Sequence, residues 1–334
     1  VSTLVNDRLN RPLEALRISV TDRCNLRCTY CMPKAAFAHH AFLSPDNLLT
    51  FDEIERLARI FIRRGVRKIR LTGGEPLLRP HLEGLVRRLA TLPGLTELAL
   101  STNGLLLPQK AAALREAGLQ RINLSLDAIE DGVFGEINGL GRPATDVLRG
   151  LDVALTAGLE AKVNMVVQRG VNEAQILPMA RHFAERRVPL RFIEFMDVGN
   201  VNGWTAAGVF SGAEIRELLS TEFALEPEGF LPGDTAQLYR CRRTGARFGF
   251  IDSVTQPFCR DCNRLRLSAD GRVFTCLFSR LGQDLRKPLR DGATDTDIER
   301  RITEIWRARE DRYSELRSRE ARTEPKIEMS YIGG

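Results

Sequence analysis

The feature that most restricts this chain is a rhythm: short β-rich runs alternate with amphipathic helical stretches through the first two-thirds of the sequence. The runs are Leu16 to Val20, Lys68 to Leu71, Leu95 to Leu100, Arg121 to Leu126, Ala161 to Val167 and Leu190 to Met196. Helices between them stop at Gly65, Gly118 and Gly158, and one begins at Thr50-Phe51-Asp52-Glu53, where Thr and Glu side chains can satisfy free backbone donors reciprocally. Successive strand-helix units call for parallel strands joined by right-handed crossovers. Six units are too few for a closed eight-stranded barrel. The expected fold is therefore α/β, a partial (β/α)6 TIM-like barrel, with an open doubly wound sheet as the competitor that periodicity leaves standing. Polar residues mark the strand exits at Thr72 to Glu75, Ser101 to Gly104, Ser125 to Asp127, Gln168 and Asp197. In parallel architectures that edge is where ligands bind.

After about Gly199 the rhythm changes. Short β-like pieces follow at Ala236 to Cys241, Arg247 to Ile251, Arg264 to Ser268 and Arg272 to Cys276, the last two joined by a tight Ala269-Asp270-Gly271 turn. Asp295 to Arg309 reads as a helix. We expect two parts, a barrel core over residues 1–198 and a smaller β-containing module over 199–334. Of the 334 residues, 43% are hydrophobic and 28% charged, which excludes disorder for most of the length. Apolar runs break within a few residues, far short of the roughly 18 a membrane helix needs. Asn6, Asp7, Arg8, Asn10, Arg11 and Glu14 interrupt any leader-like run, so the cytoplasm is the expected location. The net charge of +6 admits an anionic substrate without demanding one.

In a reducing compartment the 7 cysteines are not disulfide material, and all but Cys241 fall into two groups of three. Cys24-Asn25-Leu26-Arg27-Cys28-Thr29-Tyr30-Cys31 is a C-x3-C-x2-C run just after the first strand, where one loop can fold three thiolates around one centre. Structural zinc takes four protein ligands, and an ordinary iron-sulfur cluster takes four cysteines. Three cysteines leave one iron open to a small molecule. His39, eight residues beyond Cys31, would instead complete a zinc site. The second group, Cys259, Cys262 and Cys276, is C-x2-C-x13-C across the hairpin, and by itself fits a zinc ribbon equally well. No histidine is near it in sequence, and Cys241 is either its fourth ligand or a free buried thiol.

Cys24 to Cys31 followed by Met32-Pro33, together with Thr72-Gly73-Gly74-Glu75-Pro76, resembles the paired motifs of the radical S-adenosylmethionine enzymes. Phe258 to Gly271 with Cys276-Leu277-Phe278, Arg191 to Met196, and the terminal Gly333-Gly334 narrow the likeness to the GTP 3′,8-cyclase family. The resemblance implies two [4Fe-4S] clusters, one on Cys24, Cys28 and Cys31 and a second, in the C-terminal module, on Cys259, Cys262 and Cys276. The open iron of the first would chelate S-adenosylmethionine. One electron, from a reductase or flavodoxin, would cleave the sulfonium to a 5′-deoxyadenosyl radical that takes the 3′ hydrogen of GTP. The ribose radical would then close on C8 of guanine, with the second cluster's open iron on the base. Carried over position by position, Tyr30, Gly74, Ser125 and Met196 correspond to S-adenosylmethionine contacts. Arg17, Arg70, Ser101, Lys162, Arg264, Leu265 and Arg266 correspond to GTP contacts, Ser101 standing where the family usually shows Thr.

Elementary chemistry agrees, since a triphosphate is polyanionic and Arg pairs its oxygens through a planar fork. Read alone, Arg264 and Arg266 would also suit a solvated edge strand. The resemblance, and not the composition, implies that the tail Gly333-Gly334 enters the active site beside the second cluster. The product would be (8S)-3′,8-cyclo-7,8-dihydroguanosine 5′-triphosphate, the first intermediate of molybdenum cofactor biosynthesis, passed on to cyclic pyranopterin monophosphate synthase. The chain would act as a monomer or homodimer without nucleic acid or membrane as partner. Two other readings compete: a related radical enzyme acting on a peptide, and a zinc-stabilised nucleic-acid-binding module. For the latter the sequence offers no aromatic stacking strand or recognition helix.

Overall fold

The computed structural model describes residues 4–230, 233–317 and 326–333. Its first six strands are β1 (Ala15–Ser19), β2 (Lys68–Thr72), β3 (Glu97–Thr102), β4 (Arg121–Ser125), β5 (Glu160–Val167) and β6 (Leu190–Glu194). They pair in parallel and strictly in chain order. A doubly wound sheet reverses its order part-way. Sequential order with right-handed crossovers keeps every helix on one face and curls the other inward, so the barrel-like alternative is the one realised.

Local chemistry accounts for the elements. The helix Phe51–Arg63 opens with both bonds of a capping box, Glu53 N to Thr50 Oγ1 at 3.1 Å and Thr50 N to Glu53 Oε2 at 2.8 Å. It buries Ile54, Leu57, Ala58 and Phe61, the spacing of a single helical stripe, against the outer face of the sheet. On β5, Ala161, Val163, Met165 and Val167 join that outer core, while Lys162, Asn164 and Val166 face inward. A period of two thus separates the core from the cavity on one strand. Most strand ends differ from expectation by one or two residues, as β3 and β6 illustrate. β3 starts at Glu97 and runs on to Thr102, and β6 stops at Glu194, whose carboxylate leaves the strand to accept from Gly212 N, Val254 N and Thr255 N at 2.8–2.9 Å.

The C-terminal module is built onto the same sheet. Its strands are β7 (Leu225–Phe230), β8 (Gln237–Cys241), β9 (Arg247–Ile251), β10 (Arg264–Leu267), β11 (Arg272–Phe274) and β12 (Gln283–Asp284). β9 joins β6 in parallel and carries β8 and β7 outward, while β10 joins β1 in parallel and carries β11 and β12 outward. Residues 252–263 therefore run from one edge of the six-stranded core to the other, bearing Phe258, Cys259 and Cys262. β7 is an edge strand with a bulge at Pro227/Gly229, a place where proline is tolerated. The helix Asp295–Arg307 buries Trp306 and ends two residues before the expected Arg309. No helix among the described residues is long and apolar enough to cross a membrane.

Candidate active site

The inward face of the sheet encloses a cavity of about 450 Å³. Strand register builds its basic wall. Arg17 on β1 is the direct partner of Arg266 on β10 and of Arg70 on β2, so three guanidinium groups stand side by side across three strands. Arg264 lies two residues before Arg266 on the same face, beside Ala15. Ser101, Ser125 and Lys162 line the cavity from β3, β4 and β5. Burial and repulsion from neighbouring arginines push Arg17, Arg70 and Arg266 down, Arg70 to about 9 and Arg266 to about 10. Lys162 falls to about 8 through burial and the nearby Arg121 and Arg191. So many cations crowded out of water form a site that gains from a polyanion.

All six cysteines of the two triads border this cavity, with Tyr30, Gly74 and Met196. The loop after β1 carries the first triad, and Gly73-Gly74 hold it. Gly74 N donates to Thr21 O at 3.0 Å and Glu75 N to Arg23 O at 2.8 Å. A Cβ on Gly73 or Gly74 would come within 2.3 Å of the Thr21 or Arg23 carbonyl, so a side chain at either would force the cysteine loop away from β2. Glu75 accepts from Leu77 N, Thr102 Oγ1 and Asn103 N at 2.8–3.0 Å, and burial raises its carboxyl to about 7. Asn103 in turn donates to Asn25 Oδ1 at 2.7 Å. Tyr30 donates to Asp127 at 2.6 Å, and burial lifts Asp127 to about 6. Burial also pushes Cys24 up to about 11 and Cys31 to about 12.

The second triad has a different setting. Cys262 is just as buried, which alone would raise it, yet Arg264 and Arg309 bring it down to about 6, with Arg264 Nη2 3.5 Å from its sulfur. Cys276 is raised to about 12 by burial and Asp311, which Arg309 offsets only in part. Cys241 is buried in the core on β8 and borders neither triad's cavity. Among the described residues no three His, Cys, Asp or Glu side chains converge where one ion would be held. A four-iron cluster is larger than an ion and spreads its thiolates wider than zinc does, so three thiols apiece around a shared cavity suit clusters with an iron to spare.

Leu265 does not reach the cavity. Alternation along β10 turns its side chain into the core on the opposite face from Arg264 and Arg266. Gly333 is outside the lining, but its carbonyl accepts from Arg266 Nη1; Gly334 lies outside the described residues. The tail reaches that point through a set of bonds to the loop after β6. Lys326 Nζ donates to Asp197 O at 2.8 Å and Oδ2 at 2.9 Å, and Asn200 N donates to Glu328 Oε1 at 2.9 Å. Sequence reasoning missed Arg121, Asn164 and Arg191, which also line the cavity. Arg191 donates to Asn164 Oδ1 at 2.8 Å and Asn123 Oδ1 at 2.7 Å. The signal was available, since Arg121 and Asn164 share the face of Ser125 and Lys162 at even spacing on strands already expected.

Residues 18–183 match the Radical SAM superfamily, and residues 188–315 match Molybdenum Cofactor Synthesis C. The chain is 47% identical over 336 residues to the GTP 3′,8-cyclase of Staphylococcus saprophyticus, covering 99% of each. It is 46% identical over 338 residues to that of Staphylococcus carnosus, again covering 99% of each. Among solved structures, Streptococcus suis SuiB bound to S-adenosylmethionine is similar with a TM-score of 0.64 over 94% of this chain and 70% of that one. Its 14% identity makes this a likeness of fold alone. S-adenosylmethionine and paired iron-sulfur clusters are the cofactors that go with these two families, and the donor sets around the cavity fit them. By sequence along nearly its whole length, and with the fold to match, the chain belongs to the GTP 3′,8-cyclase family of the Radical SAM superfamily.

Proposed function

We propose that the chain converts GTP to (8S)-3′,8-cyclo-7,8-dihydroguanosine 5′-triphosphate, the first step of molybdenum cofactor biosynthesis. The observation that carries this reading is a single cavity bordered by two cysteine triads and a row of three register-matched arginines. Cys24, Cys28 and Cys31 hold one [4Fe-4S] cluster and Cys259, Cys262 and Cys276 the other. When bound, the first cluster with S-adenosylmethionine supplies one-electron cleavage of the sulfonium and hence a hydrogen-abstracting carbon radical.

The rest falls to the chain. Tyr30, Gly74, Ser125 and Met196 seat the cofactor, and the carboxylates of Glu75 and Asp127 favour its cationic groups. Arg17, Arg70, Arg266 and Lys162 neutralise the triphosphate, Ser101 offers a hydroxyl, and Arg264 stands between the nucleotide and Cys262. Leu265 contributes through the strand that holds the two arginines. The tail glycine Gly333 closes the site beside Arg266, and a role for Gly334, which lies outside the described residues, rests on the family resemblance. The inward sheet face limits water and stray hydrogen donors around a reactive radical. Residues 1–198 handle the cofactor and 199–334 the base-binding cluster.

Each turnover takes two electrons and a proton, one electron to cleave the sulfonium and one with the proton to quench the nucleotide radical left by ring closure. Both electrons come from a cytoplasmic reductase or flavodoxin, the product passes to cyclic pyranopterin monophosphate synthase, and the chain acts as monomer or homodimer. Anaerobic reconstitution with iron and sulfide, followed by GTP, S-adenosylmethionine and dithionite, tests the reading. We expect 5′-deoxyadenosine and the cyclised nucleotide in equal amounts. Cleavage of the cofactor with GTP recovered intact would overturn it.

A further inference from the structure

Three charged residues outside every motif meet behind the second triad. Asp7 and Arg11 sit on an N-terminal turn closed by the Asn6–Pro12 bridge, and Arg309 follows the helix Asp295–Arg307. All three are buried, at 7%, 2% and 3% exposure. Asp7 Oδ2 accepts from Arg11 Nε at 2.6 Å and from Arg309 Nη1 at 3.1 Å, and its Oδ1 accepts from Leu9 N and Arg11 N at 2.9 Å.

The free ends of the two guanidiniums point at the cysteine segments. Arg11 Nη1 donates to Cys259 O at 2.7 Å. Arg309 Nη1 donates to Cys262 O at 2.6 Å, and its Nε to Thr275 O, the carbonyl next to Cys276, at 3.0 Å. Trp306 completes the assembly, its ring 4.5 Å from the Arg309 guanidinium and its Nε1 donating to Arg11 O at 3.0 Å. One buried carboxylate thus ties together the backbones that carry all three thiols of the triad.

Buried ion pairs add little stability over apolar residues of equal volume. Stapling the two chain ends together accounts for Arg11 Nη1 donating to Asp311 O at 2.9 Å, but it would not require that same Nη1 and two donors of Arg309 to reach carbonyls of the cysteine-bearing segments. The planar fork fixes distance and direction at two acceptors at once, which a lysine cannot do. Asp311, whose carboxylate lies 3.6 Å from Arg309 Nε, balances the second guanidinium, so the cluster orders the cysteine segments by its bonds and not by a net charge.

We propose that Asp7, Arg11 and Arg309 are positioning residues that set the spacing of the second iron-sulfur site; the proposal rests on reading Cys259, Cys262 and Cys276 as its ligands. The test uses the full chain, reconstituted anaerobically. Iron and sulfide per chain are measured, with electron paramagnetic resonance of the dithionite-reduced protein. The first site is recognised by the change of its signal on adding S-adenosylmethionine.

Wild type should hold about eight irons. Asp7→Asn and Arg309→Gln should fall to about four, losing the second signal while the S-adenosylmethionine-responsive one persists. Arg309→Lys keeps the charge but not both carbonyl bonds, so it should recover iron with an altered second signal. Retention of about eight irons and a wild-type second signal in both Asp7→Asn and Arg309→Gln would overturn the proposal. So would joint loss of both signals, which would assign the network to the fold at large. A wild-type chain holding only about four irons would remove the reading of the triad and the proposal together.

Discussion

Around Cys24, Cys28 and Cys31 the charged groups that act on the thiols are mainly carboxylates, namely Glu75, Asp127 and Glu328. Around Cys262 they are the guanidiniums of Arg264 and Arg309, and the same wall continues through Arg266, Arg17 and Arg70. The two triads share a cavity and a ligand count, yet the first meets mainly carboxylates, whereas the second meets guanidiniums at Cys262, with the Asp311 carboxylate acting on Cys276. The difference matches their proposed guests. S-adenosylmethionine carries a sulfonium and an ammonium against one carboxylate, whereas GTP brings a triphosphate. Coulomb sorting within one low-dielectric cavity keeps each molecule from occupying the other's place.

The contrast can be broken most sharply at the thiols. Cys28→Ser should cut 5′-deoxyadenosine formation at least about a hundredfold, because no open iron would remain to hold the cofactor. Cys262→Ser should lose the cyclised nucleotide but still form 5′-deoxyadenosine. Identical defects in the two variants, scored by product chromatography, would mean the triads do not divide the work. Next in size, Arg17→Ala and Arg266→Ala should each weaken GTP binding by about ten- to a hundredfold, since a hydrogen bond to a charged group contributes about 1.5–3 kcal/mol. Calorimetry with GTP and with S-adenosylmethionine separates the two ligands; equal losses would assign the arginines to folding.

On the acidic side the effect is smaller and depends on pH. Burial raises Asp127 to about 6, so its proton is taken up as pH falls through that value and the attraction for a cation fades. Affinity for S-adenosylmethionine should therefore drop several-fold from pH 7 to pH 5, within the tenfold that one pKa unit of coupling allows. Asp127→Asn should bind more weakly at pH 7 and make the profile shallower, leaving the part that Glu75, raised to about 7, contributes. A wild-type profile already flat would remove Asp127 from the binding site. Least of all, Lys326→Met should leave both affinities within about threefold while speeding amide exchange over residues 329–333 about fivefold, the loss of roughly 1 kcal/mol of anchoring. Unchanged exchange would show that the Asp197 contact does not hold the tail.

Much of this was legible in the sequence because it is local. The alternation of Ala161 to Val167 separates outer core from cavity on one strand, and the Thr50-Glu53 capping box marks a helix start, without reference to any distant residue. Leu265 shows the same rule at work against the family correspondence, since its odd position between two inward arginines turns it to the core. What stayed hidden is non-local. Nothing in Arg264 to Ser268 announces that β10 will lie beside β1, although that pairing alone aligns Arg266 with Arg17. Asp7 and Arg309 meet across almost the whole chain, and no spacing rule links them. β7 was obscured by Pro227, whose missing donor matters little on an edge.

The last third of the chain caps the sheet at both rims, through β9 on one side and β10 on the other. As the polypeptide leaves the ribosome, β1 to β6 must wait with two raw parallel margins until those late strands arrive. Unsatisfied margins of that kind recruit neighbouring molecules. Premature termination near residue 198 should therefore produce self-association and not a small working fragment, which sedimentation would register. The radical chamber comes into being only when synthesis is nearly complete.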